Sequence, residues 1–201
     1  MDKIITIDSS IIEELFKTTK ESISKDDSRL ILKWIKVEVE NKKMTAVSVD
    51  GYMLSSISID LKNEVEEPYS FFIKPFYIPK SKQGYQITFD CSDKEVVSVT
   101  LKPYTSDTTI NYKITQPKQE FINWKQILPE TDKNFEIVFN AGYLINILKG
   151  FKTSLTNNNE VVLCFKKDEN GINKIAPVIL KQFTKVGIEK QALLLPIRRV
   201  D

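Results

Sequence analysis

The strongest constraint on the fold is a repeated order of elements. Lys3–Asp8 (KIITID) alternates and reads as a short strand. Ile11, Ile12, Leu15 and Phe16 then mark one helical stripe, with Ile23 further on. Asp8, Ser9 and Ser10 can each cap that helix, and Ser10 with Glu13 has capping-box spacing. The helix is predicted to end near Lys25-Asp26-Asp27. Leu30–Glu40 and Met44–Val49 follow as strands rich in β-branched residues, separated by Asn41-Lys42-Lys43. Asp50-Gly51 reads as a tight turn into a further strand, Tyr52–Leu61. The order is β-α-β-β-β.

Phe135–Phe139 (FEIVF) opens another such unit. Asn140 is a good N-cap, and Tyr143, Leu144, Ile147, Leu148 and Phe151 form a helical stripe broken by Gly150 near its end. Glu160–Lys166, Lys174–Gln182 and Gln191–Ile197 are strand-like, with a turn at Asp168–Gly171. Between the two units lies a degenerate third. Tyr69–Lys74 is its first strand, and Tyr85–Cys91, Glu95–Tyr104 and Thr108–Thr115 are its last three. Pro75 and Pro79 occupy the helix slot. Each removes a backbone donor and clashes with the preceding turn, so the spacing predicts irregular chain there, with Phe76 and Tyr77 partly covering the sheet. Glu64–Pro68 and Pro117–Thr131 are the links. The expected class is α+β, with repeated β-α-β-β-β units carrying helices on one face of antiparallel sheets. The expected division is a two-unit domain over 1–128 and a single unit over 129–201.

Composition removes several kinds of chemistry. The chain has no histidine, which excludes Ser-His-Asp and Cys-His triads, His-ligated zinc and imidazole bases. No phosphate-cradling glycine motif occurs. Glu38, Glu40, Asp60, Asp90 and Glu95 are scattered on strands without paired spacing, so no catalytic residue, metal or cofactor is expected. Cys91 and Cys164 lie far apart and read as two reduced thiols. No segment approaches the length of a membrane span. The start, MDKIITID, carries an acid at once and lacks an apolar run, so no signal peptide is expected and the chain reads as cytoplasmic. The net charge of +2 leaves nucleic-acid contact to a local basic face. The aromatic-rich stretch Tyr69–Tyr77 fits either base stacking or sheet core.

Three segments carry a resemblance to a known family. Arg29–Glu38 (RLILKWIKVE) with Met44–Leu54 (MTAVSVDGYML) resembles the middle domain of the bacterial DNA polymerase III sliding clamp, the beta subunit, whose turn there is D-G-[HY]-R-L. Phe121–Pro129 (FINWKQILP) resembles its interdomain segment, and Ala192–Arg198 (ALLLPIR) its terminal V-M-P-[MIV]-R-L. Phe135–Phe151 resembles the strand and helix before that end. The segments fall in family order and span nearly the whole chain. Bacterial members carry six β-α-β-β-β units, whereas this chain has about three, so the resemblance is to a shortened form.

The resemblance implies a non-enzymatic processivity module of DNA replication or repair. It implies a pocket for short linear peptides of polymerases or repair proteins at Leu32, Gly51, Tyr52, Met53, Leu54, Pro129, Leu193, Leu195, Pro196 and Ile197, with Arg198 a candidate hydrogen-bond donor. Here Met53 stands where the family has a basic residue and Val49 where it has Thr, which makes the site more apolar. Apart from the resemblance, Asp50-Gly51 fits a plain hairpin turn, and Leu193 and Leu195 fit the core face of a strand. Non-specific contact with duplex DNA is implied for Lys17, Lys20 and Lys25 on the first helix, Lys149 and Lys152 on the second, and Lys80 and Lys82 between. Known rings use twelve units, so three per chain would need four chains; a homo-oligomer is one arrangement. The alternative is a non-ring adaptor or clamp antagonist that keeps the peptide pocket alone.

Overall fold

Asp8 ends the first strand and starts the first helix. Its carboxylate accepts hydrogen bonds from the Ser10 backbone N–H (2.8 Å) and the Ser10 hydroxyl (2.6 Å). The Tyr104 hydroxyl donates to its other oxygen at 2.9 Å. The capping-box spacing of Ser10 and Glu13 is thus not what caps the helix; the cap lies two residues earlier. Those bonds, the Ser10 side chain first, hold the Asp8 carboxyl below its usual 3.8. The sign follows directly. A depressed carboxyl contributes stability that is present above 3.8 and lost as pH falls through the folded value. Asp8→Ala is expected to cost about 1 kcal/mol at neutral pH, with the gap to wild type closing below about pH 4, read by urea unfolding at both pH values.

The computed structural model describes residues 3–128, 136–152, 159–168, 171–172, 175–183 and 188–197. The chain divides into two compact units, Met1–Trp124 and Lys125–Asp201. The first contains β1 (Ile4–Asp8), α1 (Ser9–Thr19), β2 (Ile35–Glu40), β3 (Lys43–Val49), β4 (Leu54–Asp60), β5 (Tyr69–Ile73), β6 (Tyr85–Asp90), β7 (Val96–Pro103) and β8 (Ile110–Thr115). They form two four-stranded antiparallel sheets, ordered β1-β6-β7-β8 and β4-β3-β2-β5. Each repeat lends its first strand to the other repeat's sheet: β1 pairs with β6, from Ile4↔Asp90 to Asp8↔Gln86, and β5 pairs with β2.

Alternation explains the core. Ile35, Val37 and Val39 of β2, Phe71 and Ile73 of β5, Ile87 and Phe89 of β6, and Val97, Val99 and Leu101 of β7 all point inward. Helix α1 lays Ile12 and Leu15 on this core. It stops earlier than its sequence pattern predicts, at Thr19, and passes into a 3-10 turn, Lys20–Ser22. The Thr19 hydroxyl donates to the Leu15 carbonyl (2.8 Å), and the Ser48 hydroxyl donates to the Thr19 carbonyl (2.7 Å). The helix end is thereby tied to β3 instead of running on to Lys25. A second correction concerns Leu30–Glu40, whose first residues form a 3-10 turn, Leu30–Lys33, before β2 begins.

Residues 74–84 carry no helix, as two prolines four apart require. Phe76 does the covering, with Ile78 beside it. Its ring meets Phe16 edge-on at 5.1 Å and lies 5.3 Å from Tyr112. Tyr77 stays exposed and gives only its carbonyl, which accepts from the Tyr112 hydroxyl at 2.8 Å.

The second unit contains α2 (Ala141–Phe151), β9 (Val162–Cys164), β10 (Lys167–Asp168), β11 (Gly171–Ile172), β12 (Val178–Phe183) and β13 (Glu189–Leu194). A three-stranded sheet runs β13-β12-β9, and β10 pairs with β11. Asn140 caps α2 by accepting from the Tyr143 N–H at 3.1 Å. Gly150 does not break the helix, which runs through it to Phe151. The Lys190 ammonium donates to the Gly150 carbonyl at 3.1 Å, placing a cation where the helix dipole favours one. Phe151, Leu180 and Leu194 form the core, with Phe139, Leu144 and Ile147 against it. The described part of the expected strand Phe135–Phe139 is not in a ladder; its Val138 carbonyl accepts from the Ile197 N–H at 2.7 Å.

Candidate functional site

In the first unit the candidate residues gather at the β3–β4 hairpin. Asp50 organises its tip. One carboxylate oxygen accepts from the backbone N–H groups of Tyr52 (2.8 Å) and Met53 (2.7 Å). These donors hold the Asp50 carboxyl below the usual range, and the Lys25 charge lowers it further. Gly51 sits at φ +100°, and a Cβ there would lie 2.4 Å from the Arg29 guanidinium. The backbone conformation requires glycine. The long Arg29 side chain can give way, but the backbone cannot. Gly51→Ala is expected to cost about 1–2 kcal/mol and to lower the melting temperature by about 2–6 °C, measured by circular dichroism.

The tip projects outward. Tyr52 is 97% exposed and Met53 half exposed. Val49 and Leu54 fold back onto a second small core with Leu32, Val47 and Trp124, on the face of β3 opposite the main core. Leu32 is therefore buried, and it shows only in a shallow depression of about 470 Å3 beside Arg29, Ile31, Gln119 and Ile122.

In the second unit Leu193, Leu195, Pro196 and Ile197 line one groove of about 610 Å3. Its other wall comes from the start of α2, with Tyr143 and Ile147 among its residues. The reading of Leu193 and Leu195 as core does not hold. Leu193 is 58% and Leu195 62% exposed, while Leu194 between them is 5% exposed. The strand alternates: Ala192 and Leu194 face the core, while Leu193 and, just past the strand end, Leu195 face outward. Asn140, Tyr143 and Asn146 are groove residues that the sequence reading took only as a cap and a helical stripe, or passed over. Their signal was the spacing of three that places 140, 143 and 146 near one side of a helix start. Pro129 and Arg198 lie outside the described residues.

The candidate DNA-facing lysines are all exposed. Lys17 lies 3.3 Å from Glu14 and Lys20 3.7 Å from Glu21, so part of the α1 charge is offset locally. Lys80 and Lys82 stand on the irregular segment, and Lys149 and Lys152 at the end of α2. Among the described residues no cluster of three or more Cys, Asp or Glu could hold a metal ion. Both cysteines are free, and burial pushes the Cys91 thiol up to about 12, which keeps it unreactive. No described helix is long and apolar enough to cross a membrane.

No protein-family model and no curated protein matches the sequence. Solved structures match it by shape. A DNA polymerase sliding clamp from Pseudomonas aeruginosa superimposes with a TM-score of 0.74 at 12% identity, over 96% of this chain and 51% of that one. One from Bacillus subtilis gives 0.73 at 14%, over 96% and 49%. A DNA polymerase III beta subunit from Thermotoga maritima gives 0.68 at 16%, over 96% and 50%. The fold is that of the sliding clamps. The resemblance first read from RLILKWIKVE, FINWKQILP and ALLLPIR thus holds at the level of fold, across almost the whole chain. The chain spans about half the length of the clamps it matches. The two-sheet first unit, with α1 on one face, corresponds to the α+β architecture expected from the repeats.

Proposed function

We propose that this chain is a clamp-like, non-catalytic module of DNA replication or repair that captures short linear peptides of its partners. The observation that carries the proposal is the groove beside Leu193 and Leu195, where large aliphatic side chains stand in solvent on a strand whose other face is core. Exposed apolar surface of that kind is a usual mark of a protein-binding site. A peptide with two or three bulky apolar residues would bury them there, while Asn140 and Asn146 offer amide groups to a polar anchor. The Tyr52 and Met53 hairpin is the second proposed contact, and Pro129 and Arg198 complete the proposed set. Burying two such residues contributes on the order of 3–6 kcal/mol before ordering costs, which is consistent with micromolar affinity.

The test is a titration with a fluorescein-labelled clamp-binding peptide against wild type and Leu195→Glu, with circular dichroism to confirm folding. The charge would be desolvated against the ligand, so binding is expected to weaken more than tenfold. Equal affinity in both proteins would overturn the proposal. Duplex DNA is the proposed second partner, held without sequence preference by the lysines of α1, α2 and the irregular segment, and released steeply by salt. The alternative reading is a non-ring adaptor or clamp antagonist that keeps the peptide groove alone. Light scattering separates the two, since a ring of this chain needs several copies and an adaptor needs one.

A further inference from the structure

The aromatic stretch Tyr69–Tyr77 is only partly spent on the core. Phe71 and Ile73 are buried, but Phe76 reaches a groove of about 490 Å3 between the end of β5 and the edge strand β8. Trp34, Phe76 and Tyr112 give it three aromatic walls, Lys74 sets its ammonium over one of them, and Lys113 borders it on the edge strand. No carboxylate lines it. Its walls are fixed before any ligand arrives. The Tyr112 hydroxyl is tied to the Tyr77 carbonyl, the Phe76 and Tyr112 rings lie 5.3 Å apart at 32°, and the Gln116 amide at the rim is bonded to both backbone groups of Phe72. The Lys74 ammonium rests 4.2 Å from the centre of the Trp34 ring.

We propose that this groove binds single-stranded nucleic acid, one unpaired base at a time. The volume suits a single nucleotide-sized group. Aromatic faces accept any base by stacking, and adjacent ammonium groups take the backbone phosphates; together they make a sequence-tolerant single-strand site. A duplex has its bases stacked inside and presents only their edges, so it cannot use the ring faces. Lys74 supplies an exchange: a phosphate draws its ammonium off the indole, and the freed ring face takes the base. The site is separate from the peptide groove, which lies in the second unit, and shares no residue with the lysines assigned above to duplex DNA. Its failure would leave both of those assignments standing.

The chain has two tryptophans, and Trp124 is buried out of reach of a stacking base, so contact quenching of the intrinsic fluorescence reports on Trp34. Titration of the full chain with a short oligothymidylate is expected to quench that signal. Two lysine contacts predict a slope of about −1.4 in log affinity against log salt. Trp34→Leu, followed by anisotropy of labelled oligonucleotide, is expected to weaken binding about 5–100-fold. Lys113→Glu, at an exposed position that does not touch the core, is expected to weaken it at least tenfold and guards against a Trp34 variant that fails to fold. Lys62→Glu, at an exposed position outside the groove, is expected to leave it unchanged. Equal binding of the corresponding duplex, equal competition by polyglutamate, or wild-type affinity in both Trp34→Leu and Lys113→Glu would each overturn the proposal.

Discussion

Phe89→Ala is expected to remove about 3–5 kcal/mol of stability, a large share of what a domain of this size holds. Phe89 is among the largest fully buried side chains of the first unit. Its ring lies 5.7 Å from Phe71 and 6.3 Å from Phe76, so it joins both sheets to the segment that stands in for the missing helix. Truncation leaves a void that β6 cannot close, because pairing with Ile5 on one side and Val99 on the other holds residue 89 in register. The measurement is the midpoint of urea unfolding, with the slope unchanged. A loss below about 1 kcal/mol would mean that the 74–84 segment can settle into the space.

Gln116→Glu should be harmful at neutral pH and milder in acid. The Gln116 amide bridges the two sheets. Its oxygen accepts from the Phe72 N–H (2.7 Å), and its nitrogen donates to the carbonyls of Phe72 and Ile114, both at 3.1 Å. The substitution keeps the acceptor and turns the donor into a second acceptor facing two carbonyl oxygens. A carboxylate there costs about 2–3 kcal/mol. Only the protonated form can donate to a carbonyl, so the introduced group has a folded pKa above its unfolded value. A raised carboxyl favours the folded state as pH falls, so the gap to wild type narrows between about pH 7 and pH 4.5. The comparison must be with wild type at each pH, since hydrogen-bonded Asp8, Asp26, Asp50 and Asp90 all sit below their usual range and weaken the parent protein in more acidic solution. A pH-independent difference would show that the bridge contributes packing alone.

Much of this architecture was legible in the sequence because its signals are local. Alternation of Ile35, Val37 and Val39 fixes a strand and its buried face together, and Pro75 with Pro79 excludes a helix by covalent geometry. What was not legible depends on partners far along the chain. Leu30–Glu40 reads as one long strand, yet Leu32 is needed in the second core with Trp124, and the backbone turns at Leu30–Lys33 to put it there. The candidate site shows the same limit. Parity told that Leu193 and Leu195 share a face, but not which face is covered. Phe151 and Leu180 decide that by packing on Leu194. Asn140 and Tyr143 carry an evident capping role, which hid their place in the groove.

The exchange of first strands between the two repeats also governs the order in which the chain can fold during synthesis. Ile4–Asp8 finds its partner only when Tyr85–Asp90 has left the ribosome. At about 5–20 residues per second, that is a wait on the order of 4–16 s. Throughout it, β1 with Ile5 and Ile7 has no strand to pair with, while the first helix can already lie on β3 and β4. Pulse-chase proteolysis of stalled chains is therefore expected to show protection of Ile4–Asp8 arising in one step once β6 has emerged, not gradually with length.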